Sequence, residues 1–375
     1  MSVRRSQTFS ILEELKSDDW SGFKDYLASP FFFKPRGRGA VLPEFVAILS
    51  EHYFDGFKKN AEIPDYKELW WALYVNKKMD RGRINNLLVE LEKHLNTFFA
   101  HRSLRDEQML GKVLVLGHLN QRKPDSPPIR KYVATKLKKF EDKLGEGKAE
   151  ATDDWYYKYR LQVENSIFFN KADDTNSHLN KLLGNLDMFY LLERLKFICV
   201  SLDRKQVLNS DAEGLELKAF THYLKGIKSV VWEESVVFRL YYHLFMGLIE
   251  EEDKAIHYER LEEEFLSESR KIIDREKTNF RYVIINYYVR RINQGDIVYK
   301  EKLHLFFEEL LHQGLIIIKG KLEDTYYRNI VLNALDLGKW DWTQDFIETY
   351  KDKIRPQSRA KDTYAYSKAL LAYNK

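Results

Sequence analysis

A single cysteine, Cys199, stands in a chain of 375 residues. That excludes an internal disulfide framework, and its setting in the apolar run "KFICVSL" reads as a buried, inert thiol. Eight prolines and seventeen glycines are few for this length. Such scarcity of helix breakers, with charged residues at 31% and aromatics at 14%, argues against sandwiches, barrels and disordered chains and for a mostly helical protein. Long apolar runs are missing as well: stretches such as "LIIIK" from Leu315 fall far short of the ~20 residues of a membrane span. The N-terminus "MSVRRSQTFSILEELKSDDW" has no unbroken apolar core of signal-peptide length. The expectation is a reduced, soluble, cytoplasmic protein. The chain also has no GxxxxGK[ST], GxGxxG, GxSxG or HExxH, so phosphate loops and the familiar hydrolase elbows lack support.

Charge of one sign is nearly absent too, with a formal net of +4. The distribution says more. Residues 1–150 hold 27 basic against 21 acidic residues, and residues 151–375 hold 34 against 36. The mild basic bias therefore belongs to the N-terminal part.

What is present is helical periodicity. Leu303, Phe306, Phe307, Leu310, Leu311 and Leu315 fall along one face, with Glu301, Lys302, Glu308 and Glu309 outside it. Phe280, Val283, Ile284, Tyr287 and Tyr288 repeat the pattern, as do Leu88, Leu91, Leu95, Phe98 and Phe99. Alternation of period two is nearly absent, which predicts little or no sheet. The fold class expected is all-α: a small helical N-terminal unit over 1–104, then an α-α hairpin array over 105–375. First helices of hairpins are predicted near 105–119, 153–170, 187–202, 233–250, 277–294, 324–338 and 358–374. Aromatic clusters recur in them at irregular intervals in the range of helical-hairpin repeats. Stacked hairpins of this kind form a superhelical solenoid, because none buries its apolar face alone.

"LDLGKWDWTQDFIETYKDKIRP", Leu335 to Pro356, carries Gly338, Trp340, Phe346 with Ile347, and Pro356 in an order that resembles the tetratricopeptide repeat. Thr343 stands where that family has a small alanine. The N-terminal unit resembles a family of uncharacterised bacterial helical proteins that open with an "SP-aromatic-Phe-Asn-Lys" loop and a later "Leu…Leu…Leu…Phe-Phe-Ala" helix. Here these are Ser29 to Lys34 and Leu87 to Ala100, with Phe33 in place of the Asn. The resemblance implies a helical-repeat protein without an assigned activity. The residues themselves point to no cofactor.

The loop "SPFFFK" reads as a helix stop, with proline ending the helix and two phenylalanines tucked under the next one. The competing reading is a base-stacking, phosphate-holding surface. Its cations would be Lys34, Arg36, Arg38, Lys77, Lys78, Arg81 and Arg83, with Arg4 and Arg5 further candidates. In "IRKYVATKLKKFEDKL", Tyr132, Val133, Leu137, Phe140 and Leu144 form an apolar stripe and Lys131, Lys138 and Lys139 lie off it. This is a packed helix with a solvated face, or one lying on an anionic surface. Glu90, His94 and His101 share one face of a helix that also carries Leu91, Leu95 and Phe98, which makes them core-edge residues rather than zinc ligands.

The function these features favour is non-enzymatic: a scaffold or adaptor binding a protein or peptide along its hairpin array. The alternative is nucleic-acid binding through residues 1–150. An enzyme of unfamiliar type would show itself as a polar pocket gathering acids and histidines from several helices. At the C-terminus, Tyr366, Ala369, Leu370 and Tyr373 form an apolar face with no following helix. The expectation is that the natural protein continues past Lys375, or that Tyr366, Leu370 and Tyr373 meet another copy.

Overall fold

The computed structural model describes residues 8, 11–12, 15–34, 40–54, 66–74, 76–122, 126–145, 149–169, 175–208 and 216–374. They are all-α: the strands among them are two-residue pieces, β1 (Leu322–Glu323) and β2 (Ile354–Arg355), paired in parallel. Among the described residues no helix is long and apolar enough to cross a membrane. The chain divides into two compact units, residues 1–115 and 116–375.

The first unit is built from α1 (Ser17–Ala28), α2 (Leu42–Phe54), α3 (Tyr66–Leu73) and α4 (Arg81–Asp106). Its core gathers Trp20, Phe23, Leu42, Phe45, Leu69, Trp70, Leu91 and Leu95. Ser29 ends α1, its N–H reaching the carbonyls of Asp25 and Tyr26, and Pro30 keeps the chain from continuing as a helix. The loop then departs from expectation. Only Phe33 is buried, edge-on to His94 at 5.0 Å, whereas Phe31 is 82% and Phe32 40% exposed. Residues 30–32 form a turn, which leaves one of three successive side chains facing the core.

The second unit is a succession of neighbours. After α5 (Gln108–Arg122), which crosses the unit boundary, come α6 (Pro127–Gly145), α7 (Thr152–Phe169) and α8 (Thr175–Leu208). Next are α9 (Leu217–Val231), α10 (Val236–Ile249), α11 (Lys254–Glu268) and α12 (Asp274–Asn293). The last are α13 (Val298–His312), α14 (Asp324–Asp336), α15 (Trp340–Tyr350) and α16 (Gln357–Asn374). From α10 on, each helix packs on the next; α8 also packs on α7 and α10, and α14 on α16. In α6, Val133, Leu137 and Phe140 are buried, but Tyr132 is exposed under the Lys136 ammonium. Position 132 is ~100° around the helix from 133 and so leaves the stripe.

Helix ends explain the regular succession. In α14, Gly338 takes φ +70°, its N–H bonds the Leu335 carbonyl and the Lys339 N–H bonds that of Ala334. This is a Schellman closure, which favours glycine because of the left-handed φ. Gly295 and Gly314 close α12 and α13 with the same bond pattern. Helix α10 is apolar on nearly every side, and twelve of its residues are buried, as a central helix must be. Its first-turn N–H groups, which have no partner within the helix, find an anion from far away in sequence. The Glu150 carboxylate accepts from the backbone of Val236 at 3.0 Å and Val237 at 3.4 Å, while the Ser235 hydroxyl accepts from Phe238 N. A carboxylate at a helix N-terminus also meets the favourable end of the macrodipole.

Candidate functional site: an apolar row and cavity on helix α8

Helix α8 is 34 residues long. Met188, Leu191, Leu192, Leu195, Ile198, Cys199 and Leu202 are buried against its neighbours. A second apolar row runs along its exposed side. Leu179, Leu183, Tyr190, Phe197 and Val200 are all exposed, and Phe197 is 63% so. With Leu186 and Glu193 they fall at alternating intervals of four and three, the spacing of a seam made for another helix. Scattered exposed apolar residues need no explanation, but a row of them does.

Near Val200 this row opens into a cavity of about 370 Å³ between α8, α10 and α12. Val200, Leu244, Leu248, Phe280, Tyr282 and Val283 supply apolar walls, and Lys196, Asp203, Arg204 and Asn279 supply polar groups. The polar groups are mostly engaged. Asp203 meets Arg290 at 3.1 Å. Lys196 lies 3.7 Å from both Glu193 and Glu276. Glu276 is fully buried and accepts the Tyr241 hydroxyl at 2.6 Å. Burial first, then the Glu276 carboxylate, pushes the Tyr241 phenol well above its ordinary value. Burial likewise raises the Cys199 thiol far up, with Asp203 adding to it. A thiol held in that form is a poor nucleophile.

Acids and histidines from several helices do gather elsewhere in this unit. His243 Nδ1 lies 3.1 Å from His257 Nδ1, His257 Nε2 lies 3.3 Å from Glu250, and Glu250 meets Lys225 at 2.9 Å. Both imidazoles are buried, so the chain is packed rather than open to a substrate. Burial, then neighbouring His257, lowers the His243 pKa to about 3. An unfolded histidine takes its proton near 6.5. The unfolded state therefore binds more protons below that pH, and stability falls as pH drops from about 6.5 towards 3. On going from pH 7 to pH 5, His243→Asn should lose about 2 kcal/mol less stability than the parent. Urea titrations at the two pH values check this.

No protein-family model, no curated protein and no solved structure matches this chain. The assignment of a role therefore rests on the residues themselves.

Several residues singled out from the sequence are brought together in the first unit. Lys34 and Arg83 line one cavity of about 530 Å³ with Phe33, Tyr74, Asn86 and Lys93. Lys77 is placed by the same ring as Arg83: the guanidinium lies 5.1 Å and the Lys77 ammonium 5.5 Å from the Tyr74 centroid. Lys78 and Arg81 are exposed nearby in sequence but do not line it. Arg4, Arg5, Arg36 and Arg38 lie outside the described residues. Glu90 and His94 approach to 3.9 Å, while His101 lies against Phe32. Among the described residues no three His, Cys, Asp or Glu side chains come together as a metal would require. At the C-terminus Tyr366 and Tyr373 are exposed, while the half-buried Leu370 packs on the core beside the buried Leu371.

The α8 row escaped the sequence reading, which followed aromatic clusters. The four-three alternation from Leu179 to Val200 is the signal that marks it. Of the recurrent aromatics, Trp155, Phe238, Tyr241, Tyr242 and Tyr327 are core, whereas Tyr190 and Tyr366 are exposed.

Proposed function

We propose that this is a non-enzymatic helical-repeat protein whose second unit, a tetratricopeptide-like superhelix of hairpins, binds an amphipathic peptide helix of another protein. The observation that carries the reading is the exposed Leu179, Leu183, Tyr190, Phe197 and Val200 row leading into the α8–α10–α12 cavity. An incoming helix with apolar residues at i, i+3, i+4 and i+7 has the matching period, and the cavity accepts one large anchor side chain. The half-exposed Tyr282 supplies rigid amphipathic contact at the rim. Selection of random peptides on the immobilised chain tests this. Enriched peptides should show helical apolar spacing and lose at least about tenfold in affinity to Val200→Glu, the loss of a single contact worth ~1.4 kcal/mol. Enrichment of nothing, or of peptides indifferent to Val200→Glu and Tyr282→Glu, would contradict it.

A further inference from the structure

The cavity of about 530 Å³ in the first unit is lined by more cations than carboxylates. Lys34, Arg83 and Lys93 line it with Glu90 as the facing carboxylate, and Glu90 stands 4.0 Å from Lys93 and 3.9 Å from His94. Among the described residues no carboxylate pairs with Lys34, Lys77 or Arg83; Asp80 is occupied in capping α4 through the Arg83 N–H. Arg83 and Lys77 are held by the Tyr74 ring, a cation–π arrangement that places like charges together without neutralising either. Beside this charge the chain exposes two rings. Phe31 and Phe32 meet edge to face at 4.9 Å, and Phe32 rests on Tyr26 and His101. The loop itself therefore links an open aromatic surface, Phe31–Phe32, to the cationic cavity at Lys34.

We infer that this surface binds single-stranded nucleic acid, with Lys34, Arg83 and Lys93 taking a backbone phosphate in the cavity and Phe31 and Phe32 stacking on adjacent bases. The chemistry of the two parts is complementary: every base has a π-face, and every linkage carries one negative charge. Three features select this occupant. The cations line a concavity of about 530 Å³, which takes one phosphate group and its sugar rather than a flat anionic bilayer. The rings lie outside it, where unpaired bases can reach them but stacked base pairs cannot. The cavity on the other side of Phe32 sets Arg102 and Arg105 against Asp18 and Asp25, and Arg102 is held by Asp19. The two carboxylates lining that cavity balance its two guanidiniums, whereas on the Lys34 side the cations are in excess. The inference is independent of the peptide groove and stands or falls without it.

Fluorescence anisotropy of the full chain with a labelled oligothymidylate of about 20 nucleotides, longer than the ~4–16 nucleotides typical of one such site, tests it. Binding is expected at about 50 mM salt and should weaken steeply by about 200 mM. Lys34→Gln and Arg83→Gln should each reduce the log–log salt slope by roughly 0.7. Phe31→Ala with Phe32→Ala should weaken binding roughly tenfold or more at an unchanged slope. Phe31 and Lys34 are exposed, so their variants keep the test valid if Arg83→Gln does not fold. A duplex of the same length should bind more weakly. Absence of binding at the low-salt end overturns the inference, as does binding insensitive to Lys34→Gln. Equal affinity for inorganic polyphosphate or anionic vesicles, with no loss in the Phe31→Ala, Phe32→Ala protein, overturns it in favour of plain polyanion attraction.

Discussion

Phe280→Ala should cost the second unit about 3–5 kcal/mol and lower its melting temperature by about 10 °C. Phe280 is fully buried at the inner wall of the α8–α10–α12 cavity, 4.7 Å from the Tyr241 ring and 6.5 Å from Phe265. The deleted ring would enlarge a cavity that already exists, so the neighbours have little means of closing over it. Because helices in this unit pack chiefly on their chain neighbours, the damage should be local. Amide exchange should accelerate in α10, α11 and α12 and much less in α14, α15 and α16. A uniform loss of protection across 116–375 would contradict the sequential packing described above.

Glu276→Ala should be comparably severe, about 3–5 kcal/mol. It removes the acceptor of the buried Tyr241 hydroxyl, and it leaves Lys196 and Arg275, 3.7 and 3.8 Å away, without the carboxylate they face. The cost is mainly the desolvation of what is left behind rather than the worth of the pair itself. Two comparisons follow from that. Glu276→Gln, which keeps an acceptor for Tyr241, should lose less than Glu276→Ala. Adding Tyr241→Phe to Glu276→Ala should recover part of the loss, because the orphaned hydroxyl is gone. Denaturant midpoints of the four proteins measure both differences; equal losses in Ala and Gln would show that the hydroxyl contact carries nothing.

The helices were legible because their cause is local. The predicted first helix near 277–294 is α12 at Asp274–Asn293, and that near 324–338 is α14 at Asp324–Asp336. Both end at glycines that take left-handed φ, a requirement written in the sequence. The apolar face of α13 was legible for the same reason, with Leu303, Phe306, Phe307 and Leu310 buried. Convergence over distance was not. Glu150 caps α10 from 86 positions away, and Tyr241 meets Glu276 across 35; no periodicity encodes such meetings. Lys34 and Arg83 were singled out by charge, but Lys93 joins them only because α4 carries all of 81–106 past the loop. The three phenylalanines show the opposite failure. Their composition announces burial, yet a turn commits one to the core and two to the surface.

A partner's helix lying along α8 and anchored between α8, α10 and α12 would pass within reach of Val200 and Tyr282. A photo-crosslinking amino acid placed singly at Val200, at Tyr282 and at the exposed Glu263 on α11, with native lysate as the source of partners, tests it most directly. One protein should be crosslinked from Val200 and Tyr282, be competed away by peptides selected on the chain, and be absent from Glu263. Crosslinks that arise equally from Glu263, or none from Val200 and Tyr282 while the chain remains folded, would contradict it.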